Sequence, residues 1–354
     1  MEIMVFCEIT NFEALVFHCL LIAAYPNVTI NHFFVPSLKV CDRASFWNTK
    51  SSSKGKCYKV LSDYVEHNSV FTRFEVGQSW AILSPIEQSI KRKIEAVGKP
   101  LKDWDIRINY GIKTGFNDAF IINGAKKDEL IAQDPKSAEI IRPILRGKDI
   151  KRYGYNFHDK WLITTHNGLK EKNIPPVDVT KYPSIKAHLD QFYPQLAKRQ
   201  DKGDTPYNLR NCAYMEDFNK QKIAWGNLCL HAQYAFVEEA YFVNNPANII
   251  VPGDKYLLAM MNSNIADFYI RNLGVTRNGG YFEYKPMFVE KLPVPQADEA
   301  CKAILVEIVN KIIDGEKTLT DTSELDSELN KIIYGIYNIN EEEIRIIENR
   351  NKKS

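Results

Sequence analysis

Residues 240–251, AYFVNNPANIIV, contain two short apolar runs on either side of an Asn-Asn-Pro turn. Short apolar runs that are bounded by Gly, Pro or Asn are typical of buried β-strands. The same pattern recurs between residues 106 and 295, in the segments AFII (119–122), WLIT (161–164) and KIAW (222–225). Helices are predicted around residues 184–200 and 255–272. This mixture predicts an α+β domain with an irregular β-sheet.

The domain is predicted to begin with a helix. Ser84, Pro85 and Glu87 form a capping-box pattern in which serine is the N-cap and proline takes the first helical position. An apolar stripe at helical spacing follows, formed by Ile86, Ile90, Ile94 and Val97. Gly98 is predicted to end this helix. At the far end of the domain, the motif KLPVPQ (291–296) contains two prolines, which neither a helix nor a central strand can accommodate.

Beyond Ala297 the apolar pattern is helical throughout. One face carries apolar residues at helical spacing, namely Cys301, Ile304, Leu305, Ile308, Val309 and Ile312. This helix is predicted to end at Gly315, and a second helix to begin near Thr322 or Ser323. Asn340, with Glu343 three residues later, is predicted to cap a third helix. The first two helices predict a C-terminal helical hairpin.

The first 83 residues differ from both of these regions. Apolar runs before Pro36 are typical of buried strands, but they lack a complete sheet of their own. Residues 42–56 are rich in serine and lysine and predict an exposed loop. We therefore interpret residues 1–83 as the remnant of an upstream domain plus a loop, 84–296 as the main domain, and 297–354 as a C-terminal helical segment.

Composition and motifs exclude several classes of function. The net charge is only +2, so nucleic-acid binding would have to depend on local basic patches. No phosphate-binding glycine motif and no Asn/Asp-Pro-Pro-aromatic turn occurs, which predicts no cofactor site in this chain. The cysteines form no C-x-x-C pair, so we expect reduced cysteines, no metal site and a cytoplasmic protein. The apolar run at 15–25 is too short to span a membrane and lacks the basic flank of a signal peptide.

The segment IIRPILRGKDIKRYGY (140–155) carries the strongest local positive charge. Four cations lie around its glycine turn, namely Arg146, Lys148, Lys151 and Arg152. Flexible cations beside a glycine suit contacts with DNA phosphates, and arginine can also bind a guanine edge through two hydrogen bonds. The alternative interpretation is an ordinary solvated surface turn.

A second candidate is the segment RNLGVTRNGGYFEY (271–284). Its Asn-Gly-Gly sequence favours a tight turn with positive φ angles, which in the simplest interpretation is only a hairpin. In the functional interpretation, the turn directs Arg277 and Asn278 toward base edges, because arginine pairs with guanine and asparagine with adenine. Tyr281 or Tyr284 would then lie near the DNA backbone.

One pattern suggests catalysis instead. Asp267, followed by Glu283 and Lys285, has the order of residues that could hold Mg²⁺ and orient an attacking water in a nuclease. The pattern arises often by chance, and Asp267 lies in a predicted helix. A Mg²⁺-dependent nuclease is for these reasons only an alternative function. A second alternative is a protein-interaction module that is built on the C-terminal helices and has no affinity for DNA.

In their order and spacing, the motifs of this chain resemble the TaqI-like C-terminal specificity domain. That domain is the target-recognition module of type IIG restriction-modification enzymes and related adenine-specific DNA methyltransferases. The resemblance covers roughly residues 101–295. It rests on the segments GIKTGFNDAFII (111–122), IIRPILRGKDIKRY (140–153), WLITTHNG (161–168), KYPSIKAHLDQF (181–192), KIAWGNL (222–228), YFVNNPANIIV (241–251), LLAMMNSNIADFYI (257–270) and YFEYKPMFVEKLPVP (281–295).

The resemblance implies a DNA sequence-recognition module that is not catalytic alone. It places the turn at Gly111 on the DNA-facing side, where Lys113, Thr114 and Asn117 would contact the backbone or a base edge. The implied partners are double-stranded DNA and a methyltransferase or nuclease, as a domain or a subunit. S-adenosylmethionine and Mg²⁺ are expected only in that catalytic partner or in a missing domain. Residues 1–83 would then be the remnant of a methyltransferase-like domain.

Overall fold

The fold is described from a computed structural model. It describes residues 31–32, 70–71, 83–274 and 276–352. The chain divides into two units, Met1–Ser89 and Ile90–Ser354, and most of the described residues belong to the second. The loop predicted at 42–56 and most of the strands predicted before Pro36 lie outside the described residues.

The secondary structure consists of short strands and mostly short helices. The strands are β1 (Asn31–His32), β2 (Val70–Phe71), β3 (Lys99–Pro100), β4 (Arg107–Tyr110), β5 (Ile121–Asn123), β6 (Ile141–Leu145), β7 (Lys160–Ile163), β8 (Lys222–Trp225), β9 (Leu228–Cys229), β10 (Tyr234–Val237), β11 (Phe242–Val243), β12 (Asn248–Val251), β13 (Phe282–Glu283) and β14 (Pro293–Val294). The α-helices are α1 (Pro85–Val97), α2 (Asn117–Phe120), α3 (Gly124–Gln133), α4 (Pro183–Asp190), α5 (Tyr193–Lys198), α6 (Lys255–Asn262), α7 (Asn264–Leu273), α8 (Pro286–Val289), α9 (Glu299–Thr318), α10 (Ser323–Ile336) and α11 (Glu341–Lys352).

A four-stranded antiparallel sheet has the strand order β10-β8-β12-β4. Its inner strands β8 and β12 are buried at every residue. Successive side chains of a strand point to opposite faces, so Ala224 contacts the main hydrophobic core while Trp225 lies on the other face. There the Trp225 indole donates a hydrogen bond to the carbonyl oxygen of Tyr284 at 2.7 Å. Burial on both faces explains why uninterrupted apolar runs mark these strands.

A second, mixed sheet has the order β11-β6-β7-β5, in which only β11 and β6 are parallel. This parallel pairing sets Leu145, the last residue of β6, beside Val243. One residue further on, Ile112 forms a parallel bridge with Asn244. The segments that begin at Lys113 and Arg146 therefore leave the sheet region at the same end of β11. Both were predicted to contact a ligand, and the sheet brings them close together.

The C-terminal helices pack on the helices of the main domain. α9 packs against α6 and α10, and both α10 and α11 pack against α7. The KLPVPQ segment is fixed between these layers, because the Tyr256 hydroxyl donates to the carbonyl oxygen of Pro295 and the Tyr337 hydroxyl to that of Pro293, each at 2.7 Å. The predicted α+β fold with a C-terminal helical hairpin is confirmed.

Helix capping was well predicted. At the start of α1 the Ser84 amide donates to Glu87 Oε2 at 2.8 Å, and the Glu87 amide donates back to Ser84 Oγ at 3.4 Å. At α11 the Asn340 amide donates to Glu343 Oε2 at 2.9 Å, and the Glu343 amide to Asn340 Oδ1 at 3.0 Å. Both predicted capping boxes are confirmed.

Two predicted helical regions each contain a break. Residues 184–200 form α4 and α5, because Pro194 lies in the first turn of α5, where its missing N–H costs nothing. Residues 255–272 form α6 and α7, because the Ser263 side chain accepts a hydrogen bond from the Ala266 amide at 3.2 Å and caps a new helix.

Two further boundaries are wrong. Ala119 and Phe120 belong to α2, so only the second half of the AFII segment is a strand. Gly315 does not end α9, which continues to Thr318 and ends at Leu319 with a φ of 57°. A Cβ atom on Gly315 would lie 2.3 Å from Thr322 Cγ2, so this glycine permits the close approach of the returning chain.

Within the described ranges, none of the helices has the length and apolar character needed to cross a membrane. The division of the chain at residues 83 and 296 stays a prediction.

Candidate nucleic-acid interface

A basic cleft of about 970 Å³ lies between four segments, 147–152, 226–233, 246–247 and 277–285. It is where the two predicted basic segments meet, although they lie far apart in the chain. Its charged lining residues are one carboxylate, Glu283, and five cations, Lys148, Lys151, Arg152, Arg277 and Lys285. Tyr281 also lines it, with 43% of its surface exposed. A cleft that concentrates positive charge beside an exposed aromatic ring suits a polyanion with flat bases.

The turn at Asn278–Gly280 is spanned by an isolated antiparallel bridge between Thr276 and Phe282, and the strand that follows it is paired. β13 pairs with β9, and the Tyr284 amide donates to the carbonyl oxygen of Asn227 at 2.8 Å. The Arg277 amide donates to the carbonyl oxygen of Tyr281 at 2.6 Å, which closes the turn. Gly279 and Gly280 have φ angles of 77° and 78°, a conformation that side chains with a Cβ rarely adopt. The hairpin interpretation is therefore correct for the backbone, and the hairpin exposes Arg277, Asn278 and Tyr281.

Arg277 is exposed but not free. Its side chain is 53% exposed, and its Nε donates to Oε1 of the buried Glu283 at 2.6 Å. Nη2 of Arg277 contacts the same oxygen, and Lys285 Nζ lies 2.9 Å from Glu283 Oε2. Hydrogen bonds from Lys285 and Arg277 hold the pKa of Glu283 below its ordinary value despite burial. Arg277 therefore has a fixed, charged support.

The segment 146–152 contains cations of two kinds. Nε and Nη2 of Arg146 each donate at 2.8 Å to the carboxylate of Asp149, which is buried. Burial by itself would raise the pKa of Asp149, but the hydrogen bonds from Arg146 lower it below its ordinary value. Lys148 and Lys151 are exposed and make no side-chain hydrogen bond or ion pair with any residue that the structure describes. The two lysines are thus available to phosphates, whereas Arg146 shapes the turn.

Arg152 is also engaged in the fold. Its Nη2 lies 2.8 Å from Asp326 Oδ1 of α10 and donates to the carbonyl oxygen of Asn262 at 2.6 Å. The neighbouring Tyr153 is buried with a positive φ of 66°, and its hydroxyl donates to the same Asp326 oxygen at 3.1 Å. The geometry gives Arg152 a supporting role in the floor of the basic cleft.

The turn at 113–117 lines a separate pocket of about 480 Å³, together with Asn244 and Asn245. Lys113 and Asn117 are exposed there. Thr114 is only 2% exposed, and its hydroxyl donates to Asn117 Oδ1 at 2.6 Å. The predicted Thr114 contact stays a prediction, and this burial does not favour it. The buried Arg199 donates to the carbonyl oxygen of Thr114 and fixes the turn.

A third pocket of about 400 Å³ connects the other two. It shares Lys113 and Asn245 with the pocket at the turn, and Asn227 and Pro246 with the basic cleft. The three concave regions therefore adjoin one another, and we call them together the recognition groove. It gathers residues from every predicted contact segment, so the separate sequence motifs belong to one surface.

Sequence reasoning missed Asn227 at the centre of this groove. Its Oδ1 accepts a hydrogen bond from Asn248 Nδ2 at 2.7 Å. Asn227 lines both the basic cleft and the connecting pocket. A signal was present in the sequence, because Gly226-Asn227 directly follows the buried strand KIAW, where polar turn residues commonly face a ligand. Tyr110, 51% exposed beside it, was missed too.

The residues of the nuclease alternative serve other roles in this structure. Asp267 is 3% exposed and accepts hydrogen bonds from the Ala232 amide at 2.6 Å, from Arg271 Nη1 at 3.0 Å and from the Tyr284 hydroxyl. Glu283 is bound by its two cations. Throughout the described part of the chain, no group of three or more His, Cys, Asp or Glu side chains could hold a metal ion. The nuclease alternative stays a prediction, and this geometry does not favour it.

Residues 142–294 match the family model of the TaqI-like C-terminal specificity domain. This match confirms the predicted resemblance over these residues. The match ends one residue before the predicted limit at Pro295 and begins well after Leu101. The structure nevertheless joins the earlier residues to it, because β4 pairs with β12 and β5 pairs with β7.

The chain aligns with solved structures, and the first of the two described here shares its fold. One is the type IIL restriction-modification enzyme MmeI, solved in complex with DNA, at 13% identity and a TM-score of 0.56. The alignment covers 80% of this chain and 38% of the MmeI chain, so the present chain spans about 38% of that enzyme's length. Another is the type IIG restriction endonuclease BpuSI, at 14% identity and a TM-score of 0.44, with 72% of this chain and 33% of that chain covered.

Proposed function

We propose that this chain is a DNA sequence-recognition module of a type II restriction-modification system. The observation that carries the proposal is the recognition groove, in which unpaired lysines and a Gly-Gly turn with an exposed arginine face one cleft. The specificity-domain match and the fold shared with MmeI, a protein solved in complex with DNA, support it. The protein-interaction alternative gives no reason for this concentration of cations.

The proposed roles of the contact residues follow from which side chains are exposed and where they lie. Lys113, Lys148 and Lys151 are exposed and suit phosphates, which position a protein on DNA without reading its sequence. Arg277 and Asn278 lie on the exposed turn and suit base edges in the major groove. The module would direct an adenine-specific methyltransferase or an endonuclease to its site without being catalytic alone. S-adenosylmethionine and Mg²⁺ would belong to that catalytic partner.

The lysine contacts can be tested with Lys148→Ala and Lys151→Ala. If each lysine neutralises one phosphate, each substitution should weaken binding to every duplex alike and reduce the log-log salt slope by about one. Fluorescence-anisotropy titrations of a labelled duplex at several salt concentrations measure both quantities. Lys311→Ala is the matched control, because Lys311 is exposed on α9 and does not line the groove. Unchanged affinity and slope in both groove variants would show that this segment is ordinary surface.

The cofactor assignment gives a further prediction. The purified chain should neither bind S-adenosylmethionine nor methylate DNA, because its sequence has neither a glycine-rich donor motif nor a base-gripping Asn/Asp-Pro-Pro-aromatic turn. Isothermal titration calorimetry and a tritium-transfer assay measure the two properties. Stoichiometric binding at micromolar affinity would contradict the assignment.

A further inference from the structure

One edge of the Arg277 guanidinium is already occupied. Nε donates to Glu283 Oε1 at 2.6 Å, and Nη2 contacts the same oxygen. The two side chains differ greatly in exposure, at 53% for Arg277 and 4% for Glu283. The Nε–Nη2 edge of the guanidinium therefore faces the protein, and the rest of the group faces the cleft.

The remaining edge has the geometry of a base reader. A guanidinium carries five N–H groups in a fixed planar fork. When the Nε–Nη2 edge is bound, the end of the fork still presents one N–H of Nη1 and one of Nη2, parallel to each other. None of the described residues accepts a hydrogen bond from Nη1 of Arg277. Two parallel N–H groups match the O6 and N7 acceptors of guanine in the major groove.

Glu283 is itself held in place before any ligand arrives. It is the last residue of β13 and pairs with Leu228 of β9, and its Oε2 lies 2.9 Å from Lys285 Nζ. Two cations thus share one carboxylate, which leaves the cluster with a net positive charge. A carboxylate in a phosphate-binding cleft weakens attraction to any duplex, so its position here needs a reason other than affinity.

We propose that Glu283 is a specificity-determining positioning residue, which fixes Arg277 end-on for bidentate binding of a guanine edge in the major groove. This inference rests on the proposed function and adds the base class that the turn reads. Because the support is built into the fold, little side-chain freedom is lost when the base is bound. Lys cannot replace Arg277 in this role, since an ammonium has no second edge.

The test begins with the full chain and a random-sequence duplex library, from which the bound duplexes are enriched. The affinities of the enriched duplex and of a scrambled one are then measured for wild type and for Glu283→Gln, which keeps the shape of the side chain and removes its charge. We expect Glu283→Gln to lose about tenfold in affinity for the enriched duplex. Its affinity for the scrambled duplex should be equal or higher. Glu307→Gln, on the exposed face of α9, should change neither.

A double-mutant cycle separates positioning from a structural role. If Glu283 acts through Arg277, then Glu283→Gln should not reduce the ratio of enriched to scrambled affinity any further when Arg277→Ala is already present. The same reduction in both backgrounds would overturn the inference. Equal losses on both duplexes, with a lower thermal unfolding temperature, would overturn it as well.

Replacing each guanine of the enriched duplex in turn by 7-deazaguanine, which lacks the N7 acceptor, identifies the base. We expect one position at which this change weakens wild type but leaves Arg277→Ala unaffected, and at which Glu283→Gln shows a reduced effect. No such position, or a full effect in Glu283→Gln, would overturn the inference while leaving DNA binding intact. If wild type enriches no duplex from the library, the proposed function itself fails.

Discussion

Replacing Asp267 by alanine is expected to lower the free energy of unfolding by about 3–5 kcal/mol, because it breaks a buried ion pair. Arg271, which is 8% exposed, would lose its carboxylate partner, and the Ala232 amide and the Tyr284 hydroxyl would lose their shared acceptor. Chemical denaturation followed by circular dichroism measures the change. Glu307→Ala is the matched control, since Glu307 forms an i,i+4 pair with Lys311 that is exposed on both sides and should contribute little to stability.

The pH dependence of this effect has a definite sign. Burial by itself would raise the pKa of Asp267, but His231, the Tyr284 hydroxyl and Arg271 together hold it below its ordinary value of 3.8. A lowered carboxyl pKa contributes stability above the unfolded-state value and loses it as the pH falls through the folded-state value. The difference in stability between wild type and Asp267→Asn should therefore narrow below about pH 3.8.

The same substitution discriminates between the two roles given to Asp267. A metal-binding nuclease residue would lose Mg²⁺-dependent cleavage on conversion to asparagine, with little change in stability. If Asp267 is structural, Asp267→Asn should lower the stability of the fold, and wild type should show no metal-dependent cleavage. Cleavage by wild type in the presence of Mg²⁺, lost in an equally stable Asp267→Asn variant, would restore the nuclease alternative.

The second large effect concerns sequence reading. Arg277→Ala should cost about 1–3 kcal/mol in binding to the cognate duplex and almost nothing with a scrambled duplex, because base contacts distinguish the two. The exposed turn and the fixed orientation of the guanidinium on Glu283 support this expectation. Paired titrations of both duplexes at one salt concentration provide the measurement.

The outcomes of this experiment identify the role of the turn. Equal losses on both duplexes would make Arg277 a phosphate contact, since phosphates are present in any sequence. Unchanged affinity for both would leave the turn as a hairpin without a role in binding. The ratio of cognate to scrambled affinity is therefore the informative quantity, and either affinity alone is not.

Local signals predicted the fold well where a short segment determines its own structure. The capping boxes at Ser84 and Asn340 depend on residues three apart, and the strands KIAW and NIIV each contain three consecutive apolar residues because both of their faces are buried. The sequence analysis missed the helix breaks at Ser263 and before Pro194. The first is caused by the Ser263 N-cap and the second by the proline ring, and each lies within a longer pattern that is typical of a helix. At such a boundary a single side chain ends the helix, although the apolar pattern of the surrounding residues predicts that it continues.

The sequence predicted the separate segments of the candidate site, but it did not predict that these segments meet on one surface. The sequence indicated the cations of 146–152 and the turn at 278–280, yet their meeting depends on strand pairings between residues far apart in the chain. The partners of Arg152 illustrate the limit, because Asp326 lies on a C-terminal helix that no local pattern connects to the cleft. The same is true of Thr114, whose carbonyl oxygen accepts a hydrogen bond from the distant Arg199. Free and engaged cations look alike in a sequence.

The contact between Arg152 and Asp326 bears on how such modules can be inherited. Recombination that exchanged only residues 142–294 between relatives would transfer Arg152 and Tyr153 but leave their shared carboxylate on α10 behind. The incoming groove would then have a cation without its partner in its floor. Exchange of the turn at 276–281 alone would disturb none of these contacts, because its backbone is closed by its own bonds. A change confined to the turn is therefore compatible with the existing groove and C-terminal helices, whereas a change of the larger segment has to include α10.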